Sequence, residues 1–165
     1  MRSISSSIVI AAALALSACS NPSGMGWGSG GAGGIGGAAS SDPTSAAYFQ
    51  ETVGDRVLFA VDESTLSDTA RATLEAQARW LMSNPEYEAV IEGHADEQGT
   101  REYNLALGAR RASAVQEFLV ARGVSPARLK TVSYGKERPI EICSVEACYA
   151  KNRRAVTVVT AGLGS

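Results

Sequence analysis

The first third of the chain has almost no charge. Between Cys19 and Gln50, Asp42 is the only Lys, Arg, Asp or Glu, although the 165 residues carry 15 basic and 17 acidic side chains. More than half of the 17 glycines lie before residue 40. Such a stretch cannot bury enough apolar surface to offset the entropy of ordering it. The folded domain is therefore predicted at residues 48–165, which is long enough for a hydrophobic core.

The N-terminal apolar run is too short to span a membrane. It extends over nine residues, from Ile8 to Leu16, whereas a membrane-spanning helix needs about 20. Arg2 precedes the run, and the small residues Ser17 and Ala18 follow it. These are the proportions of an export signal peptide, which we predict at residues 1–18.

The signal ends at a cysteine. Leu16-Ser17-Ala18-Cys19 resembles a bacterial lipoprotein box, which implies that Cys19 becomes the N-terminus and carries acyl chains such as palmitate. The alternative is an ordinary signal peptide with a coincidental cysteine. Several acyl chains would hold the protein on a bilayer stably, and Ser20, in place of a retention aspartate, implies the periplasmic side of the outer membrane. Residues 19–47 are then a flexible Gly/Ser-rich tether, about 30 Å long on average.

Basic residues are not in excess. Without Arg2, 14 basic and 17 acidic side chains remain. A chain with this balance lacks the positive surface that nucleic acids require. It also lacks a basic run next to the lipid anchor that would bind an anionic membrane.

Hydrophobic periodicity predicts alternating strands and helices. Strands are expected within 54–64, with Val57, Phe59 and Val61 on one face, and at 87–92, 129–135 and 154–159. A helix over 66–85 begins at the N-cap Ser67, and a second helix over 101–124 ends at Gly123. The second helix should bury a stripe of small and apolar residues: Leu105, Gly108, Ala112, Val115 and Leu119. This order, β-α-β-α-β-β, predicts an α/β (α+β) two-layer sandwich with helices on one face of a mixed four-stranded sheet.

The densest polar stretch is EGHADEQGTREYNLALGARR, residues 92–111. Asn104 and Arg111 are seven residues apart, close to two helical turns, and so share one face. Arg111 interrupts a stretch rich in Ala, Leu and Val, and its helix could bring it near Asp96. A carboxylate beside a guanidinium can hold the ammonium and the carboxylate of an amino-acid zwitterion. An ordinary structural salt bridge is the alternative.

Three segments carry a family resemblance. IEGHADEQGTREYNLALGARRASAVQEFLV, VSYGKERP and AKNRRAVTVV resemble the OmpA-like C-terminal domain family, and the match runs from about Gly54 to Val159. The resemblance implies an OmpA-like sandwich that binds peptidoglycan non-covalently through meso-diaminopimelate. The residues that it assigns to this ligand are Asp96, Arg111, Asp62, Asn104 and Arg153. For Asp62 a turn role remains open, and for Arg153 a surface charge.

The resemblance also implies a cellular role. A lipid-anchored member would link the outer membrane to the cell wall and partner the Tol system, chiefly the periplasmic propeller protein TolB, in envelope integrity and constriction at cell division. The alternative is a wall-binding lipoprotein outside the Tol system, as a stator or secretion accessory. A wall hydrolase using Asp62, His94 or Asp96 is a further alternative. The sequence has no activated Ser or Cys motif and no HExxH, so we predict a binding module without a cofactor.

Two cysteines remain, together with a single histidine. Cys143 and Cys148 lie in EICSVEACYAKN, in a loop before the last strand. Because the export signal implies an oxidising compartment, a disulfide is expected. A metal site would need further ligands that this loop does not supply, and His94 has no second His or Cys near it in the sequence, so we expect a packed imidazole.

Overall fold

The structure, a computed structural model, describes residues 42–162. The predicted signal peptide at 1–18, the lipidation site Cys19 and the tether up to residue 41 lie outside the described residues. The helices are α1 Ala46–Tyr48, α2 Asp68–Ser83, α3 Arg101–Ala121 and α4 Glu146–Asn152, and the strands are β1 Arg56–Leu58, β2 Tyr87–His94, β3 Leu129–Gly135 and β4 Arg154–Ala161. A π-helical turn, Phe49–Gly54, follows α1, and a 3-10 turn, Pro126–Arg128, precedes β3.

The strands form one mixed sheet in the order β1-β4-β2-β3. β2 pairs with β3 in parallel, and β4 runs antiparallel to both β1 and β2. A register shift between Gly93 and His94 marks the end of β2. The predicted fold class is confirmed: this is a two-layer sandwich, and the sheet has its hydrophobic core on the side that faces α2 and α3.

Side-chain caps fix the starts of α2 and α3; the cap at Ser67 was predicted, and the one at Thr100 was not. The Ser67 hydroxyl accepts a hydrogen bond from the Ala70 N–H at 3.2 Å, and Thr100 caps α3 in the same way through the Tyr103 N–H. Each cap satisfies a backbone donor that the first turn leaves without a partner. The Thr100 cap matters for function because it fixes the start of α3 directly after the polar loop that follows β2.

Two residues expected in the core are exposed. Val61 is 55% exposed because β1 ends at Leu58 and the chain then turns at Asp62, whose φ is 58°. Leu105 is 50% exposed because its backbone lies over Gly135 on β3, which is the edge strand of the sheet formed by residues 42–162. Leu107 is buried on α3 instead.

Two segments carry structure that the sequence analysis did not predict. The loop expected around the cysteines contains α4. Ahead of β1, Phe49 is fully buried in the core, and the Trp80 Nε1–H donates to the Pro43 carbonyl at 2.8 Å. Packing against the core therefore starts ahead of residue 48, where the domain was expected to begin.

In the part of the chain from residue 42 to residue 162, none of the helices combines the length and the apolar character needed to cross a membrane.

Candidate ligand-binding site

A half-open cavity of about 290 Å³ lies where β2 ends and α3 begins. Four of the five residues predicted to bind ligand line it, namely Asp62, Asp96, Asn104 and Arg111. Its other lining residues are Val61, Gln98, Gly99, Tyr103 and Leu107. The fifth predicted residue, Arg153, is not part of the lining and contacts Asp96 instead.

Arg111 is fully buried, and backbone carbonyls hold its guanidinium. Nε donates to Glu63 O at 2.7 Å, Nη1 to His94 O at 2.8 Å, and Nη2 to Ala60 O at 3.0 Å. Burial lowers the pKa of Arg111 to about 10, so the group remains charged at neutral pH. A guanidinium has five N–H groups, and these bonds use three of them. One N–H on each Nη remains for an anion in the cavity.

Asp96 is buried and anchored at both oxygens. Oδ1 accepts the Gln98 N–H at 3.1 Å, and Oδ2 accepts Arg153 Nη1 at 3.1 Å. Among the described residues, Asp96 forms its ion pair with Arg153 and not with Arg111. A carboxylate offers about four acceptor sites, so Asp96 can still accept bonds from a ligand ammonium. The structure thus brings the two main predicted residues to one cavity without joining them in a salt bridge.

Arg153 lies behind Asp96 and is buried. Its Nη groups contact the carboxylates of Asp96 and Glu146, and its Nε donates to Phe59 O at 3.3 Å. The hydrogen bond that Arg153 donates to Glu146, more than the one that it donates to Asp96, raises the pKa of Arg153. Of the two roles left open for this residue, the structure places it in support of the pocket rather than on the surface.

Asp62 and Tyr103 form the exposed rim of the cavity. The Tyr103 hydroxyl donates to Asp62 Oδ1, and this bond raises the pKa of Tyr103. Asp tolerates the left-handed backbone conformation better than most residues, which explains why it can occupy the turn after β1. Sequence reasoning missed Tyr103. Its position next to Asn104 at the start of α3 was the available signal.

Asn104 fixes the loop that forms the floor of the site. Its side chain is buried, and Nδ2 donates to the Gln98 carbonyl at 2.6 Å. Gly99 follows with a φ of 87°, a conformation that favours glycine. The loop is therefore held from α3, and this keeps the Gln98 N–H directed at Asp96.

His94 does not line the cavity. Its ring is buried, only 1% exposed, and burial lowers its pKa to about 4, with the positive charges of Arg154 and Arg138 contributing. Its Nε2 lies 3.5 Å from the Glu92 carboxylate, but a neutral imidazole at pH 7 forms no ion pair there. Within residues 42–162 no three His, Cys, Asp or Glu side chains are grouped so that they could hold a metal ion.

The segment that contains the cysteines lies against the polar loop. Cys143 and Cys148 form the predicted disulfide, with Cα atoms 6.0 Å apart. Glu97, next to Asp96, accepts hydrogen bonds from Ser144 Oγ at 2.7 Å and from Tyr149 OH at 2.8 Å. These bonds lower the pKa of Glu97 and tie the pocket loop to the disulfide segment.

The arrangement suits binding of a small zwitterion. The cavity presents a buried cation, Arg111, and two carboxylates, Asp62 and Asp96. A ligand carboxylate would meet the guanidinium, and a ligand ammonium would meet the carboxylates, in a partly desolvated site where charge-assisted bonds are strong.

A family model and similar proteins from other organisms indicate the same family. The model of the OmpA family matches residues 58–153. A peptidoglycan-associated lipoprotein of Agrobacterium fabrum is 50% identical over 152 residues, covering 92% of this chain and 85% of the relative. One from Mesorhizobium japonicum is 53% identical over 132 residues, covering 80% and 78%.

Solved structures agree with the fold. The crystal structure of the peptidoglycan-associated lipoprotein from Burkholderia pseudomallei matches with a TM-score of 0.65 and 39% identity, over 74% of this chain and 99% of that one. The C-terminal domain of Helicobacter pylori MotB matches with a TM-score of 0.60 over 64% of this chain and 84% of that one. At 22% identity, MotB shows the shared fold alone.

Proposed function

The chain belongs to the OmpA family and to its peptidoglycan-associated lipoproteins, and from this premise we propose that it links the outer membrane to the cell wall without a covalent bond to peptidoglycan. The acylated Cys19 holds one end in the membrane. The domain at 48–165, together with the packed residues from Asp42 onward, holds the other end on the wall. Residues 19–47 join the two as a flexible tether.

The protein is a binding protein and not an enzyme. The relatives that cover most of its length are peptidoglycan-associated lipoproteins, and their shared domain is of the OmpA family. The hydrolase considered from the sequence is therefore not proposed.

The ligand in the cavity is the zwitterionic end of meso-diaminopimelate in the stem peptide. The observation that carries this proposal is that Arg111 is fully buried, donates to three backbone carbonyls and lies over the Phe59 ring, while the carboxylates of Asp62 and Asp96 line the same cavity. The ligand carboxylate accepts bonds from the two remaining N–H groups of Arg111. The ligand ammonium donates to Asp96 and to Asp62. Asn104 and Arg153 act by holding the loop and Asp96 in place.

Weak individual binding is sufficient for a mechanical link. The wall is a polymer with many stem peptides, and many lipid-anchored copies face it at once, so the contacts are multivalent. Each copy can release and rebind while the envelope as a whole stays attached. The proposed location is the periplasmic side of the outer membrane.

The Tol system is the proposed partner. TolB is its component that would contact this domain, on a face that overlaps the cavity, so that TolB and peptidoglycan compete. The protein then acts as a releasable tether during constriction at cell division. The test is to add purified TolB to wall-bound protein: release into the supernatant is expected, and formation of a ternary complex would refute the competition.

Co-sedimentation with purified sacculi tests the wall-binding proposal. The mature chain with Cys19→Ser, which stays soluble, is compared with Asp96→Ala, Arg111→Leu and Asp62→Asn. Removing one partner of a charged, hydrogen-bonded contact costs about 2–5 kcal/mol, so the Asp96 and Arg111 variants should stay in the supernatant. Free meso-diaminopimelate should release the unaltered protein from the pellet.

The control variant is Glu75→Gln, which removes a surface ion pair with Arg122 away from the cavity and should pellet normally. Because Arg111 is fully buried, circular dichroism must show that its variant is folded. If folded Asp96→Ala and Asp62→Asn proteins pellet as the unaltered chain does, the cavity does not bind the wall.

A further inference from the structure

A continuous series of contacts joins the disulfide to the pocket. Glu146 lies between Cys143 and Cys148 and is the first residue of α4. Its carboxylate contacts the guanidinium of Arg153, which in turn contacts Asp96 Oδ2. Two ion pairs, Glu146–Arg153 and Arg153–Asp96, therefore connect the disulfide segment to a residue that lines the cavity.

Glu146 needs external restraint to act in this series. Its side chain is 66% exposed, whereas the Arg153 side chain that it contacts is buried. An exposed carboxylate is free to leave its partner for water, and exposed ion pairs are usually weak. Arg153 is the C-cap residue of α4, which begins at Glu146, so the pair is more stable when the first turn of this helix is held in place.

The disulfide supplies that restraint. Val145 occupies the N-cap position of α4 and makes no side-chain capping bond. α4 is also only seven residues long, and short helices are marginal on their own. The bond between Cys143 and Cys148 closes the first turn of α4 covalently and so fixes the backbone from which Glu146 projects.

Glu97 forms a second link between the same two regions. It accepts bonds from Ser144, inside the disulfide loop, and from Tyr149, on α4. Since Glu97 directly follows Asp96, the disulfide segment supports the pocket from two sides. None of these supporting residues lines the cavity.

We propose that the disulfide Cys143–Cys148 is a brace that positions Asp96 for its ligand through Glu146 and Arg153. The inference rests on the proposed function of the cavity and assigns Glu146 and Arg153 as positioning residues. Without Glu146, Arg153 loses one of its two carboxylate contacts, and its charge, no longer balanced, opposes the ligand ammonium at Asp96. Both effects weaken binding.

The test compares three variants of the soluble mature chain carrying Cys19→Ser: Glu146→Gln, the pair Cys143→Ser/Cys148→Ser, and their combination. Affinity is measured by calorimetry with the stem tripeptide that ends in meso-diaminopimelate. The Gln98 amide resonance is followed by NMR without ligand, because this N–H donates to Asp96 and reports the position of Asp96 directly. Glu75→Gln is the matched control.

Each of the first two changes should weaken tripeptide affinity about tenfold, the low end of what a charged hydrogen bond contributes. The combined variant should be no weaker than the weaker of the two, because the disulfide acts through Glu146. The Gln98 resonance should move in all three variants and stay in place in the control.

Unchanged affinity in a folded disulfide variant, or losses that simply add in the combination, would overturn the brace. If the cysteine variant does not fold, the Glu146→Gln variant, which keeps the disulfide, tests the proposal instead. An unchanged Gln98 resonance together with unchanged tripeptide affinity in this variant would refute it. Failure of the unaltered protein to bind the tripeptide would reject the function of the cavity instead, and the Gln98 resonance would still test the brace.

Discussion

At the scale of single residues, two buried arginines have opposite environments. Arg153 is balanced by the carboxylates of Asp96 and Glu146, whereas Arg111 is held by three carbonyls. Carbonyl dipoles offset the cost of burying a cation but do not neutralise its charge. Arg111 therefore keeps a positive charge that a ligand anion can balance. This contrast is the reason to assign ligand binding to Arg111 and support to Arg153.

His94 should make stability depend on pH. Its pKa is about 4 in the folded chain against an ordinary 6.5, so between these values the unfolded state binds more protons. The free energy of unfolding should thus fall as pH decreases from about 6.5 to 4, by about 3 kcal/mol in total.

Urea denaturation between pH 7.5 and 4 measures this effect in the unaltered chain and in His94→Gln. Carboxylates titrate in both proteins, so the difference between the two curves isolates the imidazole, which is the only one in the sequence. Parallel curves would show that His94 is not the titrating group. The hydrogen bond from Arg111 Nη1 should remain in His94→Gln because its acceptor is the backbone carbonyl of residue 94 and not the imidazole.

Sequence reasoning predicted which charged residues meet but not how they pair. Asp96 lies in the loop just after β2 and Arg111 lies in the middle of α3, and the packing of the helix on the sheet brings Arg111 back toward the strand end. The partner of Asp96 is Arg153, 57 residues away, directly before β4. That contact depends on β4 lying between β1 and β2, and hydrophobic periodicity contains no information about strand order.

At the scale of elements, the site depends on how closely α3 approaches the sheet. Gly108 on α3 faces Gly93 on β2, and a Cβ on Gly108 would lie 2.8 Å from the Gly93 carbonyl oxygen. Arg111 is one turn further along α3 and reaches the His94 carbonyl just after Gly93. The absence of side chains at both glycines thus sets the depth at which Arg111 is buried.

Gly108→Ala should destabilise the domain although Ala favours helices. Helix propensity alone predicts a gain of about 1 kcal/mol, but a backbone oxygen cannot move aside without moving β2. Overpacking costs about 1–3 kcal/mol, so the net change in the free energy of unfolding should be a loss. Chemical denaturation measures it. Ala106→Gly at an exposed position of α3 calibrates the propensity effect, and a stabilised Gly108→Ala protein would contradict the close packing.

The long elements were predictable and the short ones were not. α2, α3 and the strands β2, β3 and β4 each contain several turns or alternations of apolar residues, which is the signal that periodicity uses. β1 has only three residues, although a strand was expected within 54–64. α4 has seven residues, and Val145 at its N-cap gives no capping signal. The first turn of α4 lies within the segment that the disulfide Cys143–Cys148 closes, so a covalent bond stabilises it where the sequence pattern gives no signal.

At the scale of the whole domain, the described chain begins at the opposite end of the sheet from the pocket. Pro43 is held by Trp80, whose ring lies 4.9 Å from that of Tyr87, the first residue of β2. Asp96 lies two residues after His94, the last residue of β2. Eight extended residues separate these ends by about 25 Å. On the proposed function, a tether that joins the domain at Asp42 would thus be attached about 25 Å from the cavity and would not cover it.

The end of the sheet near Pro43 is separate from the end that forms the cavity. A substitution near Pro43 should therefore change the free energy of unfolding without changing ligand affinity. Phe49 is fully buried, 4.8 Å from the Trp80 ring, and fixes the segment ahead of β1. Phe49→Ala should reduce the free energy of unfolding by about 3–5 kcal/mol.

Sacculus binding by the folded fraction of Phe49→Ala, measured at low temperature without denaturant, should match that of the unaltered chain. Leu58→Ala, at an exposed position of β1, is the control and should change neither quantity much. A fall in affinity of folded Phe49→Ala protein would mean that the segment ahead of β1 communicates with the cavity. On the proposed function, force applied through the tether would then change the affinity of the cavity for peptidoglycan. If folded Phe49→Ala protein binds normally, that affinity does not depend on the segment to which the tether is attached.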